Sequence, residues 1–411
     1  MNLDQAITLP RRQSGRSLFR NAVEARLALL DHGLLEIERG GHTSVFGAER
    51  EGELVARITI QDDRFYQRLA LGGTLGAAES YLEGEWNSRD LTGLVRLILR
   101  NASALGALES GMARYGATLA RLWGGLRRNT RAGSRKNIES HYDIGNDFFE
   151  RMLDPTLSYS AAIFPRPDAT LEEASRHKLE LLCQKLELGP SDHLLELGTG
   201  WGSLALHAAG RFGARVTTTT LSQQQRLLAL ERVRSAGLDR QVQVLERDYR
   251  DLNGSFDKLV SVEMIEAVGA EYYDTYFRKC GALLKPGGLM ALQSITIADH
   301  LYERHRREVD FIKRYIFPGS NIPSVAALSA SMARSSELCL RGLEDYGLHY
   351  ARTLAAWRAQ LEPHEAWVVA RYGRRFYRSW MFYLAYCEAG FSEGYISVVQ
   401  MLFERPRWRW S

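Results

Sequence analysis

Residues 194–206 read LLELGTGWGSLAL: an apolar run, three glycines at alternate positions, then a second apolar stretch. The first run reads as a buried strand, the glycines as a tight turn, and GSLALHAAGRFG as the helix that follows. Glycines at 198, 200 and 202 let another molecule come close to the backbone. Three ligands suit such a loop: a dinucleotide, a phosphate chain and a sulfonium methyl donor. No Lys-Ser/Thr pair follows the glycines, which excludes a phosphate-cradling loop. The spacing is GxGxG rather than the GxGxxG of dinucleotide folds. The second strand, about 20 residues on, ends in Thr217 to Thr220 and LSQQQ, where a dinucleotide fold wants an acid for the ribose.

Outward from this loop, strand and helix alternate. HLLELG is a strand, ARVTTTTL a second, and SQQQRLLALERVRSAG a helix with Ser222 at its N-cap. QVQVLERDY and DKLVSVEM are further strands, YYDTYFRKCGALL is helical, and GGLMALQSITI is a fifth strand. The alternation predicts a parallel sheet covered on both faces. Residues 298–355 read as a mostly helical insertion containing RYIFPGSNIPS. A helix around 365–390 follows, then GYISVVQMLFE as a late edge strand. Residues 1–105 read as a small α+β domain without a catalytic motif. In it Val23, Leu27 and Leu30 share a helix face, GELVARITIQ and FYQRLALGG are short strands, and GTLGAAESYLEGEW is a helix and turn.

The 411 residues carry a net charge of only +4, with 45% hydrophobic and 25% charged residues, so the whole molecule is not a polycation. Segment 106–137 differs: Arg114, Arg121, Arg127, Arg128, Arg131, Arg135 and Lys136 interleave with Leu119, Leu122, Trp123 and Leu126. Such a basic amphipathic segment suits an anionic lipid surface; a solvated linker helix is the plainer reading. The tail RPRWRWS alternates Arg and Trp, a pattern favoured at lipid interfaces. Cys183, Cys280, Cys339 and Cys387 show no metal-ligand spacing, which points to reduced thiols in a cytoplasmic protein and to no metal site. MNLDQAITLPRRQSGRS lacks an apolar h-region, so no signal peptide is expected, and no 18-residue apolar stretch is present to span a membrane.

Asp248, after the third strand in LERDY, suits the amino group of an adenine. Glu196 sits just before the glycines, and LLKPGGLMAL precedes the fifth strand as in class I methyltransferases. Together these favour S-adenosylmethionine.

From residue 137 the chain resembles the cyclopropane-fatty-acyl-phospholipid synthase family. The resemblance is carried by HYDIGNDFFERMLDPTLSYS, LELGTGWGSLALHAA, TLSQQQ, RDYRDL, FDKLVSVEMIEAVG, YYDTYF, LKPGG, RYIFPGSNIPS, YGLHYARTLAAW and YISVVQ, in family order over about 270 residues. It implies an α/β fold: a doubly wound, Rossmann-like mixed sheet at 138–411 of the class I methyltransferase type, with the insertion as lid and residues 1–105 as a lipid-interaction domain. It implies donor contacts at Tyr159, Ser160, Gly198, Gly200, Gly202, Thr220, Leu221, Ser222, Gln225, Asp248 and Tyr249. His141 and Tyr142 match a motif beside the donor, or pack a helix entry.

The implied chemistry is methyl transfer to the cis double bond of an acyl chain in a membrane phospholipid, followed by proton loss and ring closure. An alkene is a poor nucleophile, so the site must align it and exclude water. In the family the base is usually a bicarbonate held by Cys, Glu, His and Tyr. Here Glu266 and Tyr350 keep two of those positions, Ala161 replaces the cysteine, and Gln293 replaces the histidine; Ala267 stands where a histidine often follows the acid. Gln293 still offers a hydrogen bond, whereas Ala161 has no side-chain donor. The bicarbonate cradle is therefore only partly kept. A displaced base would leave a methylene or methyl-branched alkenoyl chain instead of a ring.

Cys387 matches a cysteine often assigned to the active site, although a thiol on an aromatic helix face is commonly packed core. Glu263 reads as a structural partner within a strand, His305 as a solvated residue, and RYIFPGS as a wall of the acyl pocket. The implied partners are a bilayer surface, which places the protein at the inner face of the membrane, and a second copy of the chain as a homodimer. The modest charge and the motifs argue against nucleic acid.

Overall fold

A computed structural model describes residues 14–105 and 144–407. The segment 106–137, His141, Tyr142 and the last four residues of the tail lie outside the described residues. The chain divides into two compact units, Met1–Leu119 and Ala120–Ser411.

In the first unit, strands β1 (Leu34–Arg39), β2 (His42–Gly47), β3 (Val55–Ile60) and β4 (Trp86–Ser88) form a sheet of order β2-β1-β3-β4. The β1–β2 hairpin turns on Gly40 and Gly41, both at positive φ, the backbone a two-residue hairpin loop requires. Leu35, Ile37, Ala56 and Ile58 are buried with Phe65, Tyr66 and Leu97. FYQRLALGG, expected as a strand, instead opens the helix Arg64–Leu82. Its buried residues Phe65, Tyr66, Leu69, Gly73 and Gly76 recur at helical spacing, and only Gly73 leaves helical geometry.

The second unit is built on a seven-stranded sheet. Its strands are β5 (His193–Leu197), β6 (Arg215–Thr220), β7 (Val242–Glu246), β8 (Phe256–Val262), β9 (Leu284–Ile297), β10 (Cys339–Asp345) and β11 (Ile396–Glu404), in the order β10-β11-β9-β8-β5-β6-β7. The run β7-β6-β5-β8-β9 is parallel, and β11 and β10 are antiparallel. The strands are apolar on both faces because each face packs a core. Leu195, Leu259 and Leu292 join Tyr276 and Phe277 on one side. Leu194, Val260 and Ala291 join Leu204, Ala205 and Ala208 on the other. Neighbouring residues of one strand thus serve opposite cores, the geometry of a doubly wound sheet.

The 298–355 segment contributes helices Asp299–Arg307 and Val325–Ser335 and also strand β10. β11 is therefore not an edge strand as expected: it lies between β9 and β10. All seven residues of β10 are exposed, so CLRGLED carries no hydrophobic alternation to betray it. No helix among the described residues is long and apolar enough to cross a membrane.

Candidate active site

The turns at the carboxyl ends of β5 to β8 gather on one edge of the sheet, where parallel α/β folds bind ligands. At the centre lies the glycine loop. Gly198, Gly200 and Gly202 have φ of 99°, 51° and 88°. A Cβ at Gly202 would meet Ala229 at 3.3 Å, whereas one at Gly200 would meet nothing within 4 Å. Gly202 thus secures the close approach of helix Gln223–Ser235, and Gly200 faces open space.

Just before the loop, Glu196 is buried with one carboxylate oxygen, Oε2, lacking any partner. Burial pushes its carboxyl up to about 8, against the pull of Thr218 and of Lys178. A buried, unmatched acceptor beside an open glycine backbone fits the cationic methionine end of S-adenosylmethionine. Thr220, Ser222 and Gln225 interlock: Thr220 Oγ1 donates to Gln225 Oε1 at 3.0 Å, and Ser222 Oγ accepts from the Gln225 amide at 3.3 Å, capping the helix. Leu221 sits half-exposed between them. After β7, the Asp248 carboxylate is gripped by Arg250 through Nε at 2.8 Å and Nη2 at 2.6 Å. The neighbouring Tyr249 hydroxyl is buried without a partner, and burial pushes its pKa up.

Tyr159 shares a hydrogen bond with Tyr383 at 3.0 Å. Its ring centroid lies 5.2 Å from Trp357, 5.4 Å from Phe149 and 6.4 Å from Phe317. Phe317 comes from RYIFPGS, the stretch expected to wall the acyl pocket. Such faces attract positive charge. The Ser160 hydroxyl accepts from Lys178 Nζ at 2.6 Å. Lys178, which the sequence reading did not single out, is 1% exposed, and burial pulls its pKa down to about 8.

Two buried carboxylates lie just past β8. Glu266 is buried; its Oε1 accepts from the Ile295 amide at 2.6 Å and from Ser294 Oγ at 2.9 Å, while Oε2 has no partner. Burial, and then the charge of Glu263, push its pKa up to about 8. Glu263 does not lie within the strand, as expected, but one residue beyond it, with φ +49°. Its Oε1 accepts from the Ala161 amide at 2.8 Å and from Gln293 Nε2 at 2.7 Å, and its Oε2 accepts from the Tyr350 hydroxyl at 2.7 Å. The structure thus brings Gln293, Tyr350 and Ala161 together around a residue that the sequence reading had treated as scaffolding. The available signal was an acid at a strand's carboxyl end coinciding with two altered cradle positions.

Cys387, on the helix Arg374–Ser392, is partly buried, and burial pushes its thiol up, so a thiolate is costly there. His305, expected on a solvated face, is half-buried with Nε2 lacking a partner. Among the described residues no His, Cys, Asp and Glu cluster could hold a metal ion.

A sequence-family model described as mycolic acid cyclopropane synthetase matches residues 129–401, well over half of the chain. The chain belongs to the mycolic acid cyclopropane synthetase family. A tuberculostearic acid methyltransferase of Mycobacterium tuberculosis is 37% identical over 82% of this chain and 80% of its own length. The cyclopropane-fatty-acyl-phospholipid synthase of Escherichia coli K12 is 35% identical over 87% and 90%. A crystal structure of the cyclopropane synthase CmaA1, complexed with SAH and CTAB, superposes with a TM-score of 0.62 at 32% identity. It covers 66% of this chain and 98% of the other. For this family member the fold is that of a class I S-adenosylmethionine-dependent methyltransferase, and S-adenosylmethionine is the methyl donor.

Proposed function

We propose that this chain transfers a methyl group to the cis double bond of unsaturated acyl chains in membrane phospholipids and closes a cyclopropane ring. The observation that carries the reading is the apposition of an open glycine loop, an aromatic wall around Tyr159 and buried carboxylates at one sheet edge. The phospholipid relative, matched over most of both chains, supports the substrate class.

When bound, S-adenosylmethionine supplies an electrophilic methyl group. Gly198, Gly200 and Gly202, with the free oxygen of Glu196, would hold its methionine end; Thr220, Leu221, Ser222 and Gln225 would meet the ribose; Asp248 and Tyr249 would flank the adenine. Tyr159 and Ser160 border the reacting side. Alkene attack places positive charge on the lipid carbon left behind. Tyr159, Trp357 and Phe317 present π faces to that charge and exclude the water that would quench it. Glu266, Gln293 and Tyr350 line the place where the proton is lost, and Cys387 lies near Tyr350. The basic segment and the Arg/Trp tail bring the enzyme to the inner membrane surface as a peripheral cytoplasmic protein, and a homodimer is the assembly we expect.

The purified chain, incubated with donor and dioleoyl phosphatidylglycerol vesicles, should return lipid heavier by one methylene, with upfield ring protons by NMR. Unchanged lipid mass overturns the reading. A heavier lipid with olefinic signals instead supports the methylene or methyl-branched alternative; a tuberculostearic acid methyltransferase is among the relatives.

A further inference from the structure

We infer that the Glu263 carboxylate fills the seat of the family's bicarbonate and itself accepts the proton at ring closure, so that this chain works without a bound inorganic anion. The inference rests on the cyclopropane-forming reading above. Bicarbonate and a glutamate side chain present the same planar pair of oxygens. Ala161, Gln293 and Tyr350 stand at three of the four positions that the resemblance assigns to the bicarbonate cradle. Each of them donates to Glu263: the Ala161 amide at 2.8 Å, Gln293 Nε2 at 2.7 Å and the Tyr350 hydroxyl at 2.7 Å. The donors are spoken for, so bicarbonate does not fit.

The two departures within the cradle itself, Ala161 and Gln293, follow from this. Ala161 keeps its amide donor and brings no polar side chain. Gln293 must aim its NH2 group, not its oxygen, at Glu263, and the structure fixes that choice. Gln400 Nε2 donates to Gln293 Oε1 at 2.8 Å, and Gln400 Oε1 in turn accepts from Lys185 Nζ at 2.6 Å. The amide row can run only one way, because the ammonium at its outer end has no acceptor. Glu266, the fourth cradle position, turns its Oε1 to the Ile295 amide and Ser294.

Of the two buried acids, Glu263 is the one built to carry charge. Burial raises its carboxyl, but three donors and the Lys178 ammonium pull it back down, whereas Glu266 has an unmatched oxygen and is pushed up by burial and then by Glu263's charge. The alkene π pair forms a bond to the incoming methyl carbon, and the carbon–sulfur pair leaves with sulfur. The second alkene carbon becomes cationic. Glu263 takes a proton from the new methyl, and the freed C–H pair closes the third ring bond. The neutral Glu263 releases that proton to solvent as the products leave.

The test uses the full chain, S-adenosylmethionine and dioleoyl phosphatidylglycerol vesicles, with and without bicarbonate in carbon-dioxide-free buffer. The wild type should turn over equally in both, and ¹³C-bicarbonate should show no bound NMR signal with it. Glu263→Gln, nearly the same shape, should bind donor normally by calorimetry yet lose about 100-fold in kcat, the usual weight of a general base. Glu263→Ala, which opens the seat, should gain a bound bicarbonate signal and recover at least about tenfold in rate when bicarbonate is added. A wild type that stalls without bicarbonate, a bound bicarbonate signal in the wild type, or an active Glu263→Gln overturns the inference. The bicarbonate-binding result stands apart from turnover, so failure of the lipid reading leaves it interpretable.

Discussion

Tyr350 offers the simplest probe at the level of single side chains. Tyr350→Phe removes one donor from the charged Glu263 while keeping the ring. The expected loss in kcat is about tenfold or more, in line with roughly 1.5–3 kcal/mol for a hydrogen bond to a charged group. Losing that donor raises the proton affinity of Glu263, so the acidic limb of the kcat–pH profile should move to higher pH. An unmoved limb would detach Tyr350 from the base. Glu196 makes a prediction about stability. Its carboxyl has an ordinary pKa of 4.5 and is pushed up to about 8 by folding. Between those values the folded chain holds a proton that the unfolded chain has lost. Its contribution to stability therefore falls as pH rises from 4.5 to about 8. Glu196→Gln should flatten this decline, raising the melting temperature at about pH 8.5 relative to wild type by more than at about pH 5.5. At roughly 2–4 °C per kcal/mol for a unit of this size, several degrees are expected. The glycines, Glu196, Glu266 and Tyr350 were singled out in the sequence because a local motif carries each. Glu263 was not, because its meaning comes from partners at 161, 293 and 350 that only the fold assembles.

Among the elements, the glycine loop and the late strands divide what pattern can and cannot tell. The loop joins a strand and a helix that follow each other in the chain, so spacing alone located it. Gly202→Ala should be costly on two counts: its φ of 88° is unfavourable to a side chain, and the new methyl would press on Ala229 at 3.3 Å. Weaker donor binding by about tenfold and a lower melting temperature are expected, read by calorimetry and thermal unfolding. Normal donor affinity would remove the loop from the binding site. The order β10-β11-β9 was hidden because β10 is exposed throughout and bulged between Leu340 and Gly342, leaving no period for a reader to find. FYQRLALGG failed for the opposite reason, since its apolar residues satisfy two periods at once and the tertiary core chose the helical one.

For the molecule as a whole, charge is unevenly written along the sequence: a net of +4 overall, yet seven cations between residues 114 and 136. If that stretch meets anionic lipid, each cation near the surface contributes about 1 kcal/mol, screened by salt. Raising sodium chloride from about 0.05 to about 0.5 M should release the protein from phosphatidylglycerol vesicles in a sedimentation assay and should not alter donor affinity. Retention at high salt would assign membrane capture elsewhere. The doubly wound sheet was readable at this scale because alternation of strands and helices leaves few topologies open. The division after Leu119 falls inside the 106–137 segment whose composition sets it apart in the sequence.

Glu263 is also one of only three non-glycine residues among those described whose φ is positive. A left-handed backbone at a bulky residue costs about 1 kcal/mol or more, which glycine escapes. The chain therefore keeps a small torsional debt at the spot where it anchors its own proton acceptor. Glu263→Gly should melt later than Glu263→Ala while remaining just as inert without bicarbonate, because heat tolerance and turnover ask opposite things of one peptide.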